Sequence, residues 1–310
     1  MPMTLMEREI REQPALLTRL REIGRTRAEE VARRVREAEP SAVFIAARGT
    51  SDNAARYAQY LLGVHNRLAV GLATPSLFTV YNTPPSYSRS LVIGISQSGQ
   101  SPDIVSVVAE ARRQGALTLA ITNDDASPLA AAAELCFDVH AGQERAVAAT
   151  KTYTTQLFAL AMISSALAND DEKWRELARL PELMDETLAL NADLVARTAR
   201  YTYAERFVVI GRGFNYATAF ETALKLKETS YVVAEPFSSA DFQHGPIAMI
   251  DRGVPAVVVA PSGRVFDEMR DLIGRLRERG AEAIAITDRV VDVSDASSVL
   301  PLAPAPEWLS

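Results

Sequence analysis

The sequence predicts an α/β protein built from two three-layer domains with parallel sheets, related by internal duplication. Three observations predict it. Apolar runs rich in β-branched residues alternate with amphipathic stretches of ten or more residues, the pattern of parallel strands joined by crossover helices. The alternation stops across residues 148–200, which hold no strand signal, and then starts again. Short motifs also recur at a fixed offset: Arg48-Gly49 and Arg212-Gly213 lie 164 positions apart, as do Ser98-Gly99 and Ser262-Gly263, while Ile121-Thr122-Asn123 and Ile286-Thr287-Asp288 lie 165 apart. Three matches at one offset, within one residue, indicate two copies of one unit.

The elements follow in order. Residues 1–39 read as helix broken at Pro14, with arginines and glutamates alternating as on a solvated face. Residues 42–47 form a strand, and Ser51 is expected to cap a helix over 52–62. A short strand over 68–73 precedes the run 91–95, whose five consecutive apolar residues suit a strand buried on both faces. Ser101 fits the N-cap of the next helix, Pro102 its first position and Gly115 its left-handed end. Strands over 116–122 and 134–139 complete the first unit. Two or three helices are expected, over about 150–168, 171–180 and 181–200, and strands again over 206–210, 254–260 and 283–287. The expected segments are an N-terminal helical one (1–40), a first α/β domain (41–168), a helical connection (169–203) and a second domain (204–310).

Bulk composition narrows the function. A length of 310 residues suggests about two domains. The net charge of −6, with no basic patch, argues against a nucleic-acid partner. The lone Cys136 excludes an internal disulfide and reads as core rather than nucleophile. No apolar run is long enough for a membrane span, and the polar N-terminus does not resemble a secretory signal, so a cytoplasmic protein without membrane partners is expected. No metal-ligand spacing or dinucleotide fingerprint is present, so no cofactor is expected.

The chemistry concentrates at two places. Residues 96–101, Ser-Gln-Ser-Gly-Gln-Ser, bring three hydroxyls and a glycine to the start of a helix, whose unpaired N–H groups and partial positive charge suit a phosphate. The loop holds no lysine or arginine, so amides and hydroxyls would hold the anion. At the matching position the second unit has Pro261-Ser262-Gly263-Arg264-Val265, which predicts a single phosphate site, in the first half. Farther on, Glu221, Lys225 and Glu228 are spaced i, i+4 and i+7 on one helix face; by spacing alone this is a solvent-facing stripe. His244, beside Gly245-Pro246, is the best-placed of the three histidines for acid–base work. His65 and His140 have no acid–base companion in the sequence and read as structural.

These residues resemble the sugar isomerase (SIS) domain family, in particular the isomerase half of the amidotransferases that make glucosamine 6-phosphate. The matching segments run in order: Met6 to Pro14, Gly49-Thr50-Ser51, Ser96-Gln97-Ser98-Gly99, Ala149-Thr150-Lys151 with Thr154-Thr155-Gln156, Ala223 to Glu228, and His244-Gly245-Pro246. The resemblance implies flavodoxin-like domains and assigns roles. Thr50, Ser51, Ser96, Gln97, Ser98 and Ser101 would contact the sugar phosphate, and Val147 and Ala149 would line the sugar site. The family usually has serine where Ala149 stands. Glu228 would shuttle a proton between C1 and C2, Lys225 would be a polar partner in the site, and His244 would assist ring opening from the neighbouring subunit of a homodimer.

Two departures shape the expected reaction. The sequence starts where the isomerase half starts, so glutamine hydrolysis by an N-terminal cysteine is not expected. The tail, 301–310, lacks the lysine that in the family forms a Schiff base, so either that role is absent or the sequence is cut short. The expected activity is deamination with isomerisation, glucosamine 6-phosphate to fructose 6-phosphate and ammonia. The alternatives are an ammonia-using synthase-like reaction, a galactosamine-phosphate deaminase, a fructosamine-6-phosphate deglycase, and a non-catalytic sugar-phosphate sensor.

Overall fold

The computed structural model describes residues 3–310 and divides into two compact units, Met1–Pro181 and Glu182–Ser310. Residues 1 and 2, with which the expected N-terminal segment begins, lie outside the described residues.

The first unit opens with α1 (Leu5–Ala38), capped by Thr4, whose Oγ1 accepts from the Glu7 N–H at 3.1 Å. It runs unbroken through Pro14, against expectation. A proline inside a helix costs about 3 kcal/mol. Here the buried stripe Leu17, Leu20, Ala28, Val31, Ala32 and Val35 outweighs that cost. Then follow β1 (Ala42–Ala46), α2 (Thr50–Asn66), β2 (Val70–Leu72), α3 (Ser76–Thr79), β3 (Ser90–Ser96), α4 (Pro102–Arg113), β4 (Leu117–Thr122), α5 (Pro128–Ala132), β5 (Leu135–Asp138) and α6 (Lys151–Ala168). Ser51 lies in the first turn of α2; Gly49 occupies the N-cap, at a left-handed φ of 54°.

The five strands are all parallel, in the order β2-β1-β3-β4-β5. Every residue of β3 is buried, as its apolar run predicts. One face of the sheet is covered by α4 and α5 through Ile104, Val107, Val108, Ala111 and Leu129. Gly94 makes this cover possible, because a Cβ there would stand 2.7 Å from Leu129 and 2.8 Å from Val108. Helix α6 is buried on nearly all sides and packs against both α1 and α2. Its lack of a polar face is the mark of a buried helix.

Helix α7 (Asp171–Leu190) continues through Pro181, so the break expected there is absent. The second unit then contains α8 (Leu194–Thr198), a 3-10 turn (Ala199–Tyr201), β6 (Arg206–Gly211), α9 (Asn215–Ser230), β7 (Val233–Ser238), α10 (Ser239–Gln243), β8 (Pro255–Val259), α11 (Phe266–Glu278), β9 (Glu282–Thr287) and β10 (Ser298–Pro301). Its sheet, parallel throughout, has the order β7-β6-β8-β9-β10, the same topology as the first. The duplication read from the motif offsets is therefore a duplication of topology. The two strands missing from the sequence reading, β7 and β10, are the two edges of this sheet. Edge strands need no continuous apolar run and tolerate proline, which β7 carries at Pro236.

Helix α9 packs on one sheet face through Ala219 and Ala223, against Val209 and Val257. The opposite face is covered by α11 and by Phe242 of α10, against Val208, Ile210 and Val258. Among the described residues, no helix is long and apolar enough to cross a membrane.

Candidate functional site

In a doubly wound sheet, ligands bind where the chain order reverses, beyond the carboxyl ends of the strands. In the first unit that point lies between β1 and β3, which are neighbours although β2 intervenes in sequence. The loops leaving these two strands are 47–49 and 97–101, so Thr50, Ser51, Ser96, Gln97, Ser98 and Ser101 come to one end of the sheet. The periodicity of the sequence does not show this neighbourhood; the strand order does.

The serine loop is ordered from within. The Gly99 N–H donates to Ser96 Oγ (3.1 Å) and the Gln100 N–H to Ser98 Oγ (3.3 Å). Each hydroxyl thus accepts from the loop and keeps its own proton to donate to a ligand. Gly99 has φ 62°, and a Cβ there would fall 2.1 Å from Ser127 Oγ, so only glycine fits. The loop carbonyls are tied down beneath: Gln97 O accepts from the Asn123 N–H (3.1 Å) and Gly99 O from the Leu129 N–H (3.0 Å). Ser101 holds the extended N-cap conformation, with Pro102 following it, but its side chain makes no capping bond.

A cation does stand beside the loop, which the sequence reading missed. Arg48 reaches Asp103, in the first turn of α4, at 2.7 Å, joining the two loops. This guanidinium, and the bond from Thr79, hold the Asp103 carboxyl below its ordinary value. The available signal was the Arg-Gly repeat itself, which recurs in the structure as a pair: Arg212 lies 3.8 Å from Glu268 in the second unit.

The rest of the expected sugar site in this unit is the segment before α6. Val147 is 98% exposed, while Ala149 is half-buried. Cys136, in β5, has its thiol pushed up to about 11 by burial, which makes it a poor nucleophile. His140 is not without a companion, as the sequence reading had it: its Nδ1 lies 3.2 Å from Asp138 Oδ2. The two residues are neighbours across the end of β5, a closeness hidden by the left-handed turn at His140 (φ 49°).

In the second unit, Lys225 Nζ lies 2.6 Å from Glu228 and 3.3 Å from Glu221. The shared helix face is as the spacing predicts, but it is no solvated stripe. Side-chain exposure climbs from 9% at Glu221 through 17% at Lys225 to 35% at Glu228. The lysine is thus anchored from below and holds Glu228 at the rim. His244 is exposed at the end of α10, its N–H donating to Asp241 O at 3.1 Å. It follows Phe242, on the sheet face opposite α9. Within the second unit, His244 thus ends an element packed on one sheet face, while Glu228 and Lys225 belong to the helix packed on the other.

Comparison with known proteins gives this architecture its family. The SIS domain family model matches residues 38–166 and 201–301, and the chain belongs to that family. It is 38% identical over 310 residues to a glutamine–fructose-6-phosphate aminotransferase (isomerizing) of Thermococcus kodakarensis, covering 95% of this chain and 50% of that protein. The corresponding enzyme of Thermus thermophilus is 38% identical over 296 residues, covering 91% and 48%. The chain spans about half the length of these relatives. Among solved structures, a candidate phosphosugar isomerase from Silicibacter pomeroyi superposes with a TM-score of 0.91 at 35% identity, covering 99% of this chain and 92% of that one. The C-terminal domain of glucosamine-fructose-6-phosphate aminotransferase from Francisella tularensis gives 0.89 at 27%, covering 98% and 90%.

Proposed function

We propose that the chain is an aminosugar-phosphate isomerase that converts glucosamine 6-phosphate and water to fructose 6-phosphate and ammonia. The observation that carries this reading is the serine loop at the switch point of the first sheet, an anion receptor with unspent hydroxyl protons beside Arg48. The matches to isomerizing aminotransferases support the aminosugar as substrate. Thr50, Ser51, Ser96, Gln97, Ser98 and Ser101 hold the phosphate, and Val147 and Ala149 meet the sugar. A grip on the phosphate, remote from the reacting carbons, supplies binding energy and orientation.

His244 assists ring opening. Glu228, positioned by Lys225, takes the C2 proton of the open chain and returns it to C1, leaving an imine at C2 that water hydrolyses to the ketose and ammonia. The packing of their two helices, α10 and α9, on opposite sheet faces supports a homodimer in which the histidine comes from a second copy of the chain.

The test is ammonia release from glucosamine 6-phosphate, with galactosamine 6-phosphate and unphosphorylated glucosamine as comparisons. Release from the first alone is expected. Glu228→Gln should lower turnover by about 10²- to 10⁴-fold, the range of a general acid–base contribution, with binding retained. Absence of both release and binding overturns the reading.

A further inference from the structure

One part of the first unit has no role in the proposed reaction. Glu9 and Glu12 lie on α1, more than 130 positions before the segment they touch, and Glu9 is 4% exposed. Glu9 Oε1 accepts the Arg145 N–H at 2.6 Å, and Oε2 accepts the Ala146 N–H at 3.0 Å. Lys151 Nζ, itself buried, lies 2.6 Å from Glu12 and 3.9 Å from Glu9. A third carboxylate, Glu144, holds the other end of the segment. It accepts from the N–H groups of Thr150 (2.6 Å) and Lys151 (2.9 Å) and from the hydroxyl of Thr152. The first amides of α6 are thereby satisfied from the side, where Thr150 as N-cap supplies no side-chain bond.

The segment 143–150 has no secondary structure of its own. Between its two fixed ends it presents Val147, an aliphatic side chain almost wholly exposed, with Ala148 buried beneath. Buried carboxylates paired with backbone amides are costly to maintain unless every acceptor is used. Here each oxygen of Glu9 takes one amide.

We propose that Glu9 is a positioning residue, which fixes residues 145–147 so that Val147 and Ala149 present one surface to the sugar. This rests on the reading that those two residues line the sugar site. The function of the opening segment of α1 is then to pre-form one wall of the site rather than to touch substrate.

Glu9→Gln tests it. The amide offers one acceptor oxygen where the carboxylate offers two, so one backbone N–H must lose its partner. Hydrogen–deuterium exchange at the Arg145 and Ala146 amides should quicken about tenfold or more, in line with a charge-assisted bond lost. Binding of fructose 6-phosphate, measured by calorimetry, should weaken about tenfold, while inorganic phosphate binds as before. Glu7→Gln, at an exposed position of the same helix, should change none of these.

Unchanged exchange overturns the proposal. So does faster exchange with unaltered fructose 6-phosphate affinity, or an equal loss for phosphate. A wild-type protein that binds no hexose phosphate overturns the sugar-phosphate reading instead. The two failures are told apart because the exchange comparison needs no ligand.

Discussion

The two units share a topology, and each places a Ser-Gly pair after its third strand in chain order, yet the two loops differ in what fills them. In the first, Ser96 and Ser98 accept from the loop's own amides. In the second, carboxylates occupy the equivalent ground. Asp288 accepts the Ser262 N–H at 2.6 Å and the Ser262 hydroxyl at 2.5 Å, and Glu307 accepts the Arg264 N–H at 3.1 Å. The first unit has Asn123 where the second has Asp288. Asn123 turns to the backbone instead, donating to Gly142 O and accepting from the Ala141 N–H, each at 2.7 Å. The two strand-to-helix turns thus differ in whether the chain supplies its own carboxylate to the loop. On the proposed reading, the second copy keeps the fold without the phosphate site.

The largest effect should come from Gly99→Ala. The left-handed backbone costs about 1–3 kcal/mol for a residue with a side chain, and the clash with Ser127 adds to it. Loss of phosphate binding and a lower Tm are expected. Gly263→Ala, which meets Glu307 at 2.5 Å, should lower Tm while phosphate binding persists. Equal losses of binding in the two variants would break the comparison between the loops.

Asn123→Asp imports the second unit's carboxylate into the first. Phosphate affinity should fall about tenfold or more, by like-charge repulsion over a few ångströms. An unchanged affinity would show that the loop does not hold the anion. Asp288→Asn should leave phosphate binding untouched and cost about 1–3 kcal/mol in denaturant unfolding, because Ser262 loses a charged acceptor.

The smallest effect concerns the Arg-Gly repeat. Arg48–Asp103 is largely solvent-exposed, so Asp103→Asn should cost less than about 1 kcal/mol. Its sign with pH is fixed. The Asp103 value is lowered by Arg48 and Thr79, so the stabilisation is present above the ordinary 3.8 and is lost as pH falls through the lowered value. The variant should therefore flatten the acid limb of the unfolding curve, and an unchanged limb would remove the pair from the account.

Much of this was legible in the sequence because its causes are local. The buried run of β3, the helix start at Ser101-Pro102 and the left-handed glycines announce themselves through hydrophobicity and backbone restriction. The unbroken α1 was not legible, because tertiary burial overrode what Pro14 does locally, nor was the passage of α7 through Pro181. The edge strands β7 and β10 escaped for the converse reason: half-exposed strands carry weak apolar signals.

The sequence by itself determined the parallel α/β class, the duplication, the serine loop and the shared face of Glu221, Lys225 and Glu228, since periodicity and turn chemistry depend on neighbours in the chain. Only the tertiary structure decided that the β1 and β3 loops meet, that Arg48 stands beside the serines, that Asp288 and Glu307 close the second loop, and that Glu9 holds a segment over 130 residues away. Those are contacts between residues distant in sequence, made by strand order and packing, and no local pattern encodes them.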